Sequence, residues 1–126
     1  MFDHLSLGVS NLQRSIEFYD AALAPLGIKR LFNLPYVAAY GSDTRPMFWI
    51  GNRGDLTQIQ PSPGFHLAFT ASDRPAVDEF YQQAIALGAK DDGKPGLREQ
   101  YHPNYYAAFI IDPDGYRIEA VCHQQP

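Results

Sequence analysis

The sequence repeats itself once, and this internal repeat restricts the fold more than any other feature of its 126 residues. His4 and His66 are 62 positions apart, and the Glu-Phe-Tyr segment at 79–81 follows an identical segment at 17–19 with the same spacing. Repeats of this kind are typical of supersecondary units that bury their apolar faces by packing against a second copy. The chain is therefore predicted to consist of two similar modules.

Each copy begins with a strand and continues with a helix. Apolar and polar residues alternate from Asp3 to Val9, which predicts a strand, and Ser10 with Gln13 forms a capping-box pattern that predicts the start of a helix. Three short strands separated by turns follow the helix. This order predicts an α+β fold of two βαβββ modules whose strands form a curved mixed sheet around a cleft. We expect one domain over residues 1–126, with modules at 1–51 and 65–122 and a linker at 52–64.

A tight turn is predicted just before the last strand of the second module. Pro113 fixes its own φ, Gly115 tolerates a positive φ, and the side chain of Asp112 can accept hydrogen bonds from nearby backbone amides. In the strand that follows, Glu119 lies between the apolar residues Ile118 and Ala120. Burying a carboxylate is costly unless it has a cation, a metal ion or a proton as a partner. Glu119 is therefore expected to have such a partner elsewhere in the chain.

Two histidines are the candidate companions of Glu119. His4 and His66 occupy equivalent places on the first strands of the two modules, on the faces predicted to point away from the helices. Two imidazoles and one carboxylate from separate strands, with open coordination positions, are typical of a catalytic site for Fe(II), Mn, Ni or Zn. In the alternative interpretation the histidines are structural and Glu119 pairs with Arg98 or Arg117.

The second half of each module suggests residues that contact a substrate. Aligning 105–109 with 36–40 at a spacing of 69 predicts that Ile50 is the counterpart of Glu119. Phe48 and Ile50 are then expected to form an apolar wall of the pocket, and Arg117 is a candidate for binding an anionic substrate.

The segment at 91–104 is longer than its counterpart in the first module and predicts a loop over a pocket. Its side chains at Arg98, Tyr101 and His102 are the candidate catalytic groups, because they could orient an anionic substrate or move protons.

The composition restricts the class of protein. The net charge is −4 and the ten Lys and Arg residues are scattered singly, which argues against a nucleic-acid surface. Cys122 is the only cysteine, so an intramolecular disulfide is excluded. The chain has no signal-like run and no stretch of eighteen apolar residues, and we expect a cytoplasmic protein with a small-molecule partner and no membrane partner. Phosphate-binding glycine loops and a nucleophile elbow are also absent from the sequence.

Four segments together resemble the vicinal oxygen chelate superfamily, which includes glyoxalase I, bleomycin-resistance proteins, fosfomycin-resistance enzymes and extradiol dioxygenases. The resemblance covers nearly the whole chain and implies paired βαβββ modules, a homodimer, and metal ligands at His4, His66 and Glu119. Glyoxalase I generally has a glutamate at the place aligned with Ile50, so the resemblance implies three protein ligands here. The segments are Phe2-Asp-His-Leu-Ser-Leu-Gly-Val9, Ser15-Ile-Glu-Phe-Tyr19, Gly64-Phe-His-Leu-Ala-Phe69 and Asp112-Pro-Asp-Gly-Tyr-Arg-Ile-Glu119.

The leading hypothesis is a metal-dependent isomerase, lyase or dioxygenase in which a divalent ion polarises two vicinal oxygens of a small substrate. Its site can form within one chain or between the modules of two chains. An alternative is a protein of the bleomycin-resistance type, which sequesters a ligand without a metal ion. A third possibility is a module without a site of its own that serves only as a dimerising partner.

Overall fold

Two four-stranded sheets and two helices make up the computed structural model, which describes residues 1–126. The element order is βαβββ in each half, which confirms the predicted fold class. The helices are α1 (Leu12–Leu23), followed by a 3₁₀ turn (Ala24–Leu26), and α2 (Arg74–Ala86). The strands are β1 (Leu5–Gly8), β2 (Lys29–Leu34), β3 (Val37–Gly41), β4 (Phe48–Gly51), β5 (Leu67–Thr70), β6 (Lys90–Leu97), β7 (Tyr106–Ile111) and β8 (Arg117–Cys122).

The two sheets have the same topology. Their strand orders are β1-β4-β3-β2 in the first sheet and β5-β8-β7-β6 in the second. In each sheet the first strand pairs in parallel with the last one, so that Leu5 lies beside Phe48 and Leu67 lies beside Ile118. The structure therefore confirms that the residues just before these strands, His4 and His66, are equivalent.

Each helix begins at a side chain that accepts a hydrogen bond from its first turn. The Asn11 side chain accepts from the N–H of Arg14 at 3.0 Å, and that of Asp73 accepts from the N–H of Ala76 at 2.9 Å. Such caps satisfy backbone donors that have no partner within the helix. The first helix was predicted to be capped by Ser10, and this prediction is wrong by one residue.

Ser10 instead contacts the turn before β8. The Asp114 carboxylate accepts from the backbone N–H of Ser10 at 3.2 Å, from the Ser10 hydroxyl, and from the Arg14 guanidinium at 3.2 Å. The side chain of Asp112 organises this turn, because it accepts from the N–H groups of Asp114 and Tyr116 at 2.9 Å each. The turn at 112–115 is thus present as predicted, and it joins the second module to the start of α1.

Both halves contribute to one apolar core. The cluster of 22 buried side chains includes Tyr19 and Phe48 from the first half and Phe80 and Ile118 from the second. The ring of Phe48 meets that of Phe69 edge to face, with centroids 5.2 Å apart. Burying a side chain of this size contributes about 1.5–3 kcal/mol. Neither helix is long and apolar enough to span a membrane.

Each sheet has one face that packs on the helices and one face that points away from them, which we call the open face. Residues alternate between the two faces along a strand, and side chains directly opposite on paired strands share a face. The open face of the first sheet carries His4, Ser6, Trp49, Ala39 and Phe32, and that of the second sheet carries His66, Ala68, Glu119, Phe109 and Gly93.

Candidate functional site

The carboxylate of Glu119 lies on the open face of the second sheet, where two side chains bind it. His66 Nε2 is 2.5 Å from Oε1, and the Tyr105 hydroxyl donates to Oε2 at 2.5 Å. The Glu119 side chain is 1% exposed, whereas that of His66 is 47% exposed. Both oxygens of the buried carboxylate therefore have partners. Neither is an arginine, so the predicted alternative pairing with Arg98 or Arg117 is not found.

The pairing of the strands explains this meeting. Glu119 is on β8, an interior strand of the sheet, with Ala68 of β5 on one side and Phe109 of β7 on the other. His66 precedes Ala68 by two residues, so its side chain points to the same face as Glu119. The imidazole remains accessible at the edge of the sheet, while the carboxylate is covered by its neighbours.

Tyr105 contacts Glu119, and the sequence did not predict this contact. Burial, and next the hydrogen bond to Glu119, raises the pKa of Tyr105 well above its ordinary value. The phenol therefore keeps its proton and remains a donor to the carboxylate. Its ring packs against Tyr101 and His123, with centroid distances of 5.1 and 5.2 Å. Only the pairing register would have revealed this contact, because Tyr105 lies just before its strand.

His4 lies apart from the pair formed by His66 and Glu119. Its Nδ1 is 2.6 Å from Asp3 Oδ1, and its ring meets Trp49 at a centroid distance of 6.3 Å. Within one chain, no group of three or more His, Cys, Asp or Glu side chains could hold a metal ion. Both histidines nevertheless line the same cleft of about 610 Å³ between the modules.

The counterpart of Glu119 in the first sheet is Trp49. Ser6 lies beside Trp49 just as its equivalent, Ala68, lies beside Glu119. The predicted counterpart, Ile50, is wrong by one residue. The error follows from aligning the two segments by residue similarity. The alternation of buried Phe48 and Ile50 with the open-face Trp49 would have given the correct register.

The residues predicted to contact a substrate occupy several environments. Phe48 and Ile50 are 4% and 1% exposed on the face that packs on the helices, and Phe48 also reaches the wall of the cleft between the modules. Arg117 is exposed at the start of β8 and forms no ion pair.

The segment at 91–104 is not a loop throughout, since β6 extends to Leu97. Tyr101 is 64% exposed and packs on Tyr105. His102 accepts from the N–H of Asn104 through Nδ1 at 3.1 Å, and it is also exposed. Neither Tyr101 nor His102 has a hydrogen bond to Glu119.

Arg98 is the member of this segment that lies over the open face. Its guanidinium carbon is 5.4 Å from the centroid of the Phe109 ring, and its Nη2 donates to the carbonyl of Lys94 at 2.7 Å. The Phe109 ring also neighbours His66, with centroids 6.0 Å apart. The second open face thus presents an imidazole, a carboxylate and a guanidinium around one aromatic ring.

Comparisons with known proteins agree with this architecture. The family model described as Glyoxalase/Bleomycin resistance protein/Dioxygenase superfamily matches residues 1–120. The structure of a glyoxalase/bleomycin resistance protein from Albidiferax ferrireducens T118 is similar, with a TM-score of 0.83 and 30% identity over 99% of this chain and 98% of that chain. No curated protein sequence matches the chain.

Two more distant structures share the fold. Glyoxalase I from Zea mays is 24% identical with a TM-score of 0.76, covering 96% of this chain and 45% of the maize chain. This chain therefore spans less than half of the maize enzyme. A fosfomycin resistance protein from Listeria monocytogenes is 17% identical with a TM-score of 0.67, covering 97% of this chain and 92% of that one.

Proposed function

We propose that this chain, which belongs to the glyoxalase/bleomycin resistance protein/dioxygenase superfamily, is a metal-dependent enzyme acting on a small substrate with two vicinal oxygens. The observation that carries the proposal is the arrangement at Glu119. One oxygen of this buried carboxylate meets His66 Nε2, and the other is held by Tyr105. One carboxylate oxygen is thus fixed by a hydrogen bond and the other faces an accessible imidazole. This arrangement is suited to binding a metal ion.

The donor set fits a divalent ion of the first transition series. Zn, Ni, Mn and Fe(II) all bind imidazole nitrogen together with carboxylate oxygen. Metal-binding carboxylates are commonly fixed by a further hydrogen bond from behind, and the Tyr105 hydroxyl would supply this bond to Glu119. His66 would bind the ion through Nε2, which must carry no proton to do so, because only an unprotonated ring nitrogen is a ligand.

A bound divalent ion would polarise the two substrate oxygens and stabilise an enolate or oxyanion. The protein's own side chains would position the substrate and exclude water. Glu119 and His66 would fix the position of the reacting atoms, and Phe109 beside His66 would keep water from one side of them.

The third ligand would be His4 of a second copy of the chain. His4 does not join His66 and Glu119 within one chain, yet it is equivalent to His66 and lies on an open face. Covering an exposed sheet face with a second copy is a common route to a homodimer. The exposed apolar residues near the first open face include Phe32, Leu34 and Met47.

A mixing experiment tests this arrangement. His4→Ala and Glu119→Gln chains are purified separately, then unfolded, mixed and refolded, and titrated with Mn²⁺ or Ni²⁺ by calorimetry. Each variant alone should bind the ion at least about a hundredfold more weakly than the parent, because each has lost a direct ligand. In a random mixture half of the dimers contain both variants, and each of these holds one intact site, so we expect about a quarter of an ion per chain.

The outcomes separate the alternatives. In one outcome the parent binds one ion per chain, while neither variant nor their mixture binds it tightly. That result would place the whole site within one chain. A parent that binds no divalent ion would contradict metal dependence. His102→Ala is the matched control, since His102 is exposed and has no hydrogen bond to Glu119, and it should bind the ion as the parent does.

A second candidate function is sequestration of an aromatic ligand without a metal ion. The ring of Trp49 stacks on that of Phe32 at a centroid distance of 6.2 Å and an interplanar angle of 12°, and Phe32 is 48% exposed. Such a stack could bind a planar ligand. Quenching of Trp49 fluorescence by aromatic compounds in the presence of a chelator would favour this function, and dependence of the quenching on a divalent ion would favour the enzyme.

A further inference from the structure

The guanidinium of Arg98 lies in a cradle formed by two glycines of β6. A Cβ added at Gly96 would lie 3.1 Å from Arg98 Nη1, and one added at Gly93 would lie 3.2 Å from Nη2 and 2.9 Å from Cδ1 of Phe109. All three distances are tighter than ordinary contacts between a side chain and a Cβ atom. The missing side chains at Gly93 and Gly96 therefore make room for Arg98 to lie flat across the strand.

A bulge in β6 provides the acceptor that orients this side chain. Gly93 pairs with Phe109 and Gly96 pairs with Ala107, so β6 has one more residue than β7 in this interval. Such an irregularity disturbs the ladder and turns local groups outward. The carbonyl of Lys94 accepts from Arg98 Nη2 at 2.7 Å, so the guanidinium is held at one end.

The charge of Arg98 is not neutralised within the chain. Arg14, Arg30 and Arg45 each form an ion pair with an aspartate, whereas Arg98 has no acidic partner. Its contacts are the Phe109 ring and one carbonyl. A guanidinium has five N–H donors in a planar fork that matches a carboxylate or phosphate, so most of its donors are available to a ligand.

The distance to Glu119 sets the shape of that ligand. Across the second sheet, Glu119 lies beside Phe109 and Phe109 lies beside Gly93, so the cradle is two strands away from the carboxylate. Neighbouring strands are about 4.8 Å apart, which puts roughly 10 Å between the two backbone positions. The ring of Phe109 fills this interval and gives it an apolar floor.

We propose that Arg98 binds an anionic group at the far end of the substrate. The substrate is then an organic acid with vicinal oxygens at one end, a short apolar chain over Phe109, and a carboxylate or phosphate at the other end. This inference rests on the proposed function for the end of the substrate near His66 and Glu119. Of the three candidates predicted in the segment 91–104, Arg98 is the one that the geometry selects.

Two matched probes test the proposal on the whole protein. 2-Oxoadipate and 2-oxohexanoate have the same chain length and the same vicinal oxygens, but only 2-oxoadipate has a distal carboxylate. Binding of each is measured by calorimetry in the presence of Mn²⁺, and binding of Mn²⁺ alone is measured separately. We expect the parent to prefer 2-oxoadipate by about tenfold to a hundredfold, because charge-assisted hydrogen bonds are among the stronger polar contacts.

Three variants locate this preference. Arg98→Ala should lose it and still bind Mn²⁺ as the parent does, while Arg98→Lys should keep part of it because the charge remains and the fork is lost. Lys90→Ala is the matched control, since it removes an exposed positive charge from the start of the same strand, and its preference should be unchanged. Circular dichroism confirms that each variant is folded.

The two proposals fail in different ways. Equal binding of both probes to a parent that binds Mn²⁺ would overturn the role of Arg98 and leave the metal proposal intact. A preference for 2-oxoadipate that depends on Arg98, in a parent that binds no Mn²⁺, would support the anion site and contradict the metal site. A preference that survives in Arg98→Ala would overturn the role of Arg98.

Discussion

The two sheets are built alike, yet their open faces carry different chemistry. At equivalent places beside the first strand, the first sheet has Trp49 and the second has Glu119. The Trp49 ring contacts His4 and Phe32, whereas the Glu119 carboxylate binds His66 and Tyr105. The first open face is an aromatic surface with His4 at its edge. The second carries the polar pair His66 and Glu119 beside the ring of Phe109.

The repeat determines the residues of the buried faces, and it leaves the residues of the open faces free to differ. Helix packing and strand pairing act on the buried faces, where both halves have apolar side chains. The open faces contribute little to this packing, so their residues can differ without changing the fold. A pair of such faces can therefore combine an aromatic wall from one sheet with ligands from the other.

Glu119→Gln should remove the chemistry of the second open face and leave the first unaffected. The amide retains the shape of the side chain but loses the charge that a divalent ion needs, so metal affinity should fall at least about a hundredfold. Calorimetry with Ni²⁺ measures the loss. The fluorescence spectrum of Trp49, the only tryptophan, is the internal control and should not change. Undiminished metal binding would show that Glu119 is not a ligand.

Tyr105→Phe should weaken the same face by a smaller amount. Removing the hydroxyl leaves Oε2 of the buried Glu119 without its donor, and loss of such a partner typically costs about tenfold in metal affinity. The unfolding free energy should also fall by about 1–3 kcal/mol. Tyr101→Phe is the matched control, because Tyr101 is exposed and does not bond Glu119. Equal effects of the two variants would contradict a positioning role for Tyr105.

Trp49→Glu should make the two open faces more alike. The new carboxylate would lie beside His4, in the place that corresponds to Glu119 beside His66. Additional anionic ligands generally strengthen divalent sites, so we expect a gain in metal affinity of about tenfold or less. Trp49→Gln keeps a polar group of similar size without the charge and should give no gain. A gain in both variants would assign the effect to loss of the indole.

The smallest expected difference is in alkaline stability. Burial, followed by the charge of Asp112 and the hydrogen bond to it, raises the pKa of Tyr19, and burial followed by the Asp20 hydrogen bond raises that of Tyr40. A phenol whose pKa is higher when folded contributes stability that is fully present well below pH 10 and is lost progressively as the pH rises from about 10 towards the folded pKa. Each would cost up to about 0.8 kcal/mol between pH 9 and 10.5.

Urea unfolding at the two pH values measures this loss. Tyr40→Phe should show a smaller loss than the parent, and the exposed Tyr101→Phe should show the same loss as the parent. The pKa of Tyr105 is raised as well, so the second half contributes to the alkaline loss and Tyr40→Phe should remove only its own share. An unchanged loss in Tyr40→Phe would contradict this assignment.

The fold could be predicted because its signals are local and occur twice. Alternation in the strands and the turn at 112–115 each depend on a few neighbouring residues, and the repeat supplied the equivalence of the two first strands. The register of the later strands was wrong by one residue. Both β3 and β7 contain Ala-Ala, and two small residues in succession do not reveal which of them faces the helices.

The site could be predicted only in part, because its contacts join distant strands. The sequence indicated that His66 and Glu119 belong together, and the structure places them in contact. It did not indicate Tyr105 or the cradle of Arg98, which depend on the register between β6, β7 and β8. The glycines at 93 and 96 were a usable signal, since paired glycines within a strand often mark a bulge or a close approach.

The hydrogen bonds between Ser10 and Asp114 connect residues 104 positions apart, and this has a consequence for synthesis on the ribosome. Translation proceeds from the N-terminus, so the first helix emerges long before the carboxylate that anchors its start. The N-terminal half must remain incomplete until nearly the whole polypeptide has left the exit tunnel. Contacts of such large sequence separation also slow the final step of folding. Because of this order of translation, the first half can form its contacts with Asp114 only after the second half has been synthesised.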